Sequence, residues 1–445
     1  MPRFPALRVL ARRQVVRDLL ITLGGRWVQM LIALAGNVLS ARVLGPDDFG
    51  RFGLVMATVT ICGTLADAGL TYTAIKFIAQ YSVTNPARAL AVARTYLLLR
   101  LAGGTIVAGV TILLAAPLAR DVLGYPALTP YLQLAFATLI SLGISSYPGT
   151  VLVGLARFGR TGVAGVLNAA ITLAGILALL WLGRLDLGTL IAWNVVLPVV
   201  STLPAWLLLP AAWLPWRLPR VADLPGASVA RELIGFSKWM VVSTFGSILA
   251  GQGDVILLGR LASPGVVGVY SVALTLAMRL DTLNQSLITV LMPRASRLAG
   301  ATAVRGYTRQ VLRGALILAA GLGGAAFLAQ PLIALLYGAR YTAAGGLFLA
   351  LLAVVLFDLV TSSLFLVAFP LNRPRVLAAS DWLRVAVLGG VGWLLIPGYG
   401  GFGAAAARLG SRVAGAAYTW WALRRAVRAA ESPESNPAAA SKWAS

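Results

Sequence analysis

The sequence predicts an all-α polytopic membrane protein. About twelve transmembrane helices form two six-helix lobes, a parallel pseudo-two-fold repeat around a central cavity. Three observations predict it: the composition, the side on which the basic residues fall, and a repeat at a single offset. Of 445 residues, 59% are hydrophobic and only 11% charged, with a mean hydropathy of +0.85. A soluble domain carries about 25% charged residues.

Apolar runs of about 20 residues are long enough to cross the bilayer as helices. Taken in order, the predicted spans are 20–43, 52–78, 95–119, 128–154, 162–183 and 188–213, then 236–260, 266–292, 311–337, 344–369, 376–397 and 402–423. The first follows Arg12-Arg13 without the short apolar core and small-residue site of a cleaved signal, so the N-terminus is read as uncleaved. Between the first two spans lies "SARVLGPDDFGRFGL", Ser40 to Leu54. There Gly45-Pro46 stops one helix and Asp47-Asp48 favour the start of the next through its N-terminal dipole. The longest connection, 214–235, is rich in proline and arginine and reads as a cytoplasmic linker between lobes 1–213 and 236–430. Residues 431–445 read as a disordered cytoplasmic tail.

The net charge of +23 suggests a nucleic-acid partner until the basic residues are placed on the topology. With the N-terminus inside and alternating spans, 27 of the 37 fall on the inner side, 6 on the outer side and 4 within spans. Inner segments win in each of the six pairs, and Arg88, Arg94 and Arg100 are counted among them. Basic residues resist translocation, so this charge reports topology and not nucleic acid. It places both termini on the cytoplasmic side.

The third observation is internal. At an offset of 218 residues and without a gap, Arg42 falls on Arg260, Pro46 on Pro264, Gly50 on Gly268, Phe52 on Tyr270 and Lys76 on Arg294. The offset is close to half the chain, so the repeating unit is six spans. Six is even, so both copies enter from the same side and are parallel. Two such lobes with a site between them near the midplane is transporter architecture.

These residues also carry a family resemblance. "LGPDDFGRFGL" followed by "LADAGL" resembles the first hairpin of the polysaccharide-biosynthesis flippases, of the O-antigen oligosaccharide type. These belong to the multidrug/oligosaccharidyl-lipid/polysaccharide exporter superfamily. "FSKWMVVSTFGSILAGQGDVILLGR", "GVYSVALTL" and "LMPRASRL" are similar to the family's seventh and eighth spans, and "PLIALLYGARY" and "NRPRVL" continue the likeness. The resemblance implies two six-helix bundles around a central cavity. It also implies movement of undecaprenyl-pyrophosphate-linked sugars from the inner to the outer leaflet, in company with a polymerase and glycosyltransferases.

The chemistry in the chain is sparse. There is no GxxxxGK[ST] phosphate loop, which argues against direct ATP hydrolysis. One cysteine, Cys62, and no histidine exclude disulfides and the usual zinc sites, and no cofactor is expected. What remains is charge inside the spans, costing at least roughly 2.5–3.5 kcal/mol per residue at the bilayer centre on insertion scales. The candidates are Arg26, Asp67, Asp254, Arg279, Asp281, Asp358, Arg408 and Arg412. Each either lines the cavity or pairs between helices; Asp381 and Arg384 snorkel toward the inner face. Gln252, Asn284 and Gln285 either bind sugar hydroxyls or bond helix to helix. Arg26, Arg279, Arg408 and Arg412 together suit a pyrophosphate, because arginine holds phosphate oxygens in a bidentate fork. Asp254 matches the resembled family's recurring seventh-span carboxylate. Trp181, Trp213 and Trp216 read as interfacial belt.

The expected activity is therefore non-enzymatic: a monomeric lipid-linked-oligosaccharide flippase working by alternating access. Two alternatives stay open. A multidrug or organic-cation antiporter of the same superfamily would want a net negative lining. A membrane glycosyltransferase or polymerase would bring an extramembrane domain.

Overall fold

A computed structural model of the chain describes residues 5–217, 226–295, 313, 316–317, 320–324, 329–365 and 374–431. Among these, every regular element is helical and no strand occurs. Seven stretches of the described residues are long and apolar enough to cross a membrane, the first being Gly24–Asp67 and the last Ala378–Tyr399. Large apolar side chains such as Val83, Leu113 and Leu207 point outward. Helices apolar on their outer faces as well as their inner ones belong in lipid.

The chain divides into two compact units. The first comprises Met1–Ile248, Ser263–Val269 and Ala334–Tyr341; the second comprises Leu249–Ala262, Tyr270–Ile333 and Thr342–Ser445.

In the first unit, α1 (Pro5–Asp67) holds two predicted spans in one bent rod. Gly45 takes φ 74°, a left-handed conformation open to glycine, and Pro46 after it donates no backbone hydrogen bond. The turn expected at Gly45-Pro46 is thus present and tight. The chain changes direction at one residue, and Asp48 already pairs with Arg51 at 2.9 Å on the new helix. The expected second span is itself broken. α1 ends at Asp67, Ala68 and Gly69 are both left-handed, and α2 (Leu70–Thr84) starts afresh. α3 (Pro86–Leu113) begins with Pro86 behind an Asn85 cap that accepts from the Arg88 amide at 3.1 Å. The predicted fourth span is two helices, α4 (Thr129–Phe136) and α5 (Thr138–Gly154). α6 (Phe158–Trp181) and α7 (Leu187–Leu207) complete the set, α7 opening on a capping box of Asp186 and Thr189.

One core of this unit joins Phe77, Ile78, Val92, Tyr96, Tyr147 and Val151. Trp213 also belongs to it, which corrects its reading as interfacial belt. A short helical turn folds it back so that its carbonyl accepts from the Tyr147 hydroxyl at 2.7 Å. Trp181 and Trp216 are exposed, as expected of a belt. α8 (Gly226–Leu261) begins ten residues before the predicted span, and its Val229 and Leu233 enter the same core. Beside them Glu232 accepts from Arg88 and from the Tyr81 hydroxyl, each at 2.8 Å. Burial alone would raise this carboxyl, but the hydrogen bonds from Arg88 and Tyr81 outweigh it and hold the group below its ordinary value.

The start of α9 (Pro264–Ala295) crosses the second limb of α1 with backbone against backbone. A Cβ on Gly50 would collide with the Pro264 carbonyl oxygen, and a Cβ on Gly268 with that of Pro46. These four residues are the pairs related by the 218-residue offset, so the contact is reciprocal. Beside it the segment 334–341, which includes the end of α10 (Ala329–Tyr337), is bound through backbone groups. Arg42 donates to the carbonyls of Leu335 and Leu336, and the Tyr341 hydroxyl donates to the Ala41 carbonyl at 2.8 Å. The Tyr337 hydroxyl donates to Asn37 Oδ1 at 2.9 Å.

In the second unit, α11 (Ala344–Phe365) packs on α13 (Gly401–Glu431). α13 in turn lies along α12 (Pro374–Tyr399), joined to it by Gly400 at φ 52°. Gly403 lies so close to the Leu395 carbonyl that no side chain fits there.

Candidate functional site

Polar groups inside the spans gather into two clusters, one in each unit. In the first unit the cluster forms at the break after α1. Ala68 holds φ 47°, which costs an L-residue about 1–2 kcal/mol and persists only where the surroundings enforce it. Asp67, at the broken end, accepts from the Thr71 hydroxyl at 2.5 Å and lies 3.5 Å from Arg100 Nε. Arg100 Nε also donates to Ser146 at 3.4 Å. The Tyr96 hydroxyl donates to Ser146 at 3.1 Å and lies within hydrogen-bond distance of Thr71 and Thr150.

Glycines let the surrounding backbones approach closely. Cβ atoms at Gly103, Gly104 and Gly143 would meet the carbonyls of Ala66, Leu139 and Arg100 at 2.7–3.0 Å. Arg100 is only 6% exposed, and its Nη1 is buried without a hydrogen-bond partner among the described residues. The charge count had placed it on the inner side with the loop arginines; it belongs instead to the buried cluster. Its position inside the predicted span 95–119, after three leucines, was the available signal. The offset of 218 carries Asp67 to Gln285, on a helix that does not break there, so the break belongs to the first copy alone.

In the second unit the cluster centres on Asp254 of α8, 1% exposed. Its Oδ2 accepts from the Tyr270 hydroxyl at 2.5 Å and from Arg408 Nη1; its Oδ1 accepts from the Val255 amide at 3.0 Å. Arg408 Nη1 reaches the Gly251 carbonyl at 3.2 Å, and Nη2 lies 3.9 Å from Met278 Sδ. One turn along α13, Arg412 lies 3.4 Å from Asp358, both partly exposed. Asp381 and Arg384, read as snorkelling, pair with each other at 3.4 Å.

The other candidates lie outside the hydrogen-bonded clusters, although Asp281 is near enough to Asp358 for the two charges to repel. Arg26 is exposed on α1, and Arg279 is half-buried on α9. Neither has an ion pair or hydrogen bond among the described residues. Gln252 and Asp281 are half-buried. Asn284 and Gln285 have side chains outside the described residues. Thus Arg408 is neutralised by Asp254 and Arg412 is shared with Asp358, whereas Arg26 and Arg279 keep uncompensated charge. Such groups can hold an anion.

The family model described as polysaccharide biosynthesis protein matches residues 15–299. A search of curated proteins finds no significant match. Among solved structures, an inward-facing multidrug resistance MATE family transporter of the MOP superfamily superposes with a TM-score of 0.69. The two share 15% identity over 92% of this chain and 96% of that one. The lipid II flippase MurJ, in an inward closed conformation, gives 0.67 at 10% identity over 91% of this chain and 87% of its own. A MOP superfamily transporter from Pyrococcus furiosus, described as having a binding pocket of reverse polarity, gives 0.57 at 16% identity over 94% and 96%. At these identities the likeness establishes the fold: a transporter fold, all-helical and membrane-spanning.

Proposed function

The chain belongs to the polysaccharide biosynthesis protein family, and on that premise we propose that it translocates a lipid-linked oligosaccharide. The cargo is an undecaprenyl-pyrophosphate-linked sugar chain, moved from the inner to the outer leaflet by alternating access for cell-surface polysaccharide assembly. One observation carries the reading: Arg26 in the first unit and Arg279 in the second hold positive charge inside spans with no acidic partner among the described residues. A charge at bilayer depth is costly even on an exposed helix face, and a diphosphate that accepts bidentate hydrogen bonds compensates it. An organic cation would add to that charge.

In this reading the chain forms and breaks no covalent bond. It acts as a monomer in the cytoplasmic membrane, with both termini inside. Lobes 1–213 and 236–430 and the linker 214–235 form its working parts, and it hands its cargo to a polymerase after glycosyltransferases have built it.

The test replaces Arg26 or Arg279 by Gln. Either change is expected to stop export while the protein still accumulates in the membrane, with lipid-linked intermediate building up in the inner leaflet. Lys, keeping charge but losing the fork, is expected to retain part of the activity. Full export by both Gln variants would remove the diphosphate reading.

A further inference from the structure

Asp254 is a buried carboxylate whose two oxygens are already engaged within the protein. One is held by its own helix at Val255 and the other by Tyr270 and Arg408. Around the guanidinium are the groups that a small monovalent cation would use: the Asp254 carboxylate, the Gly251 carbonyl and the Tyr270 hydroxyl. The Gly251 carbonyl and Asp254 Oδ2 both accept from Arg408 Nη1, so the two oxygens converge on one point. Oxygens in this arrangement suit a hard cation. Here the place is taken by a side chain that stays charged at any physiological pH.

We propose that Arg408 is a tethered cation, permanently filling the Asp254 site so that no metal ion or proton is taken up there. This is independent of what the protein carries, because it concerns the charge balance of the second unit alone. Two consequences separate it from a site that loads and unloads an ion. The native protein is indifferent to which small cation surrounds it. Removing the arginine side chain, by contrast, creates a cation site that was absent before, because Asp254 is left buried with a vacancy the size of a guanidinium.

The experiment is thermal unfolding of the purified full chain in sodium, potassium or N-methylglucamine chloride at equal ionic strength. The native chain is expected to unfold at the same temperature in all three. Arg408→Ala is expected to unfold several degrees lower and to recover part of that loss with millimolar guanidinium or with sodium. An Asp254→Asn/Arg408→Gln double variant is neutral at both positions and tolerates burial better than either half of a broken pair. It is expected to fold and to respond to no cation, and it serves where Arg408→Ala fails to accumulate. A sodium-dependent rise in the native chain that this double variant lacks would overturn the proposal. So would a folded Arg408→Ala protein indifferent to every cation added.

Discussion

Arg100 shows what a single residue can hide. Its charge, near the end of the predicted span 95–119, counts with the loop arginines that obey the positive-inside rule unless its place after three leucines is weighed. Its partner Asp67 lies 33 residues earlier, beyond a helix break signalled only by one glycine, Gly69. Arg408 and Arg412 were legible because they sit far from any span end. That Asp254 would neutralise one of them was not, since the two are 154 positions apart. Arg100→Gln should lower stability by about 2–3 kcal/mol, because it strands Asp67 in a largely buried place. Adding Asp67→Asn should restore part of the loss, a coupling read by denaturation of the two single variants and the double. Glu232 makes a second residue-scale expectation. Its carboxyl is held below the ordinary value, so its stabilising contribution is present above the unfolded-state value. That contribution fades as pH falls through the lower folded one. Glu232→Gln should therefore be less stable at pH 7, by about 1 kcal/mol or less since Arg88 is well exposed. The difference from the native chain should vanish in acid, as thermal unfolding at a series of pH values would record.

Elements were legible where glycine and proline punctuate apolar runs, and less so where packing alone interrupts a helix. The Gly45-Pro46 corner is legible as the stop between two helices, and the structure makes that turn at one residue. The break at Ala68 had only Gly69 beside it as a signal, because alanine is a good helix former and tertiary contacts hold it out of the helix. α8 began early for a similar reason: Val229 and Leu233 find a core to enter, and burial extends the helix back to Gly226. The crossing of α1 and α9 gives the prediction at this scale. Gly50→Ala places a methyl group against the Pro264 carbonyl, a rigid backbone atom that cannot turn aside as a side chain would. Gly50→Ala and Gly268→Ala should each destabilise by about 1–3 kcal/mol, the range for overpacking. Gly109→Ala, where a Cβ meets nothing within 4 Å, should not. Unfolding midpoints of the three variants in one membrane mimetic decide the matter.

For the whole molecule, composition and a single offset were enough to give an all-helical membrane protein, because lipid demands helices whatever their detail. The direction of insertion rests on the basic residues and makes its own prediction. In a Cys62→Ser background, Asp48→Cys should react with an impermeant thiol reagent in whole cells, and labelling only after lysis would reverse the topology. The repeat was legible as four coincident residue types, and the reciprocal meeting of Gly50 with Pro264 and of Gly268 with Pro46 gives them a physical meaning. Two copies of a duplicated sequence ordinarily drift apart by compensation, a larger side chain in one being matched by a smaller one in the other. At this crossing that route is closed. Each glycine faces the backbone of the other copy, and no residue is smaller than glycine, so neither position can yield room to its counterpart. The twin glycines are therefore locked to each other's history, and change at either one is corrected only by change back.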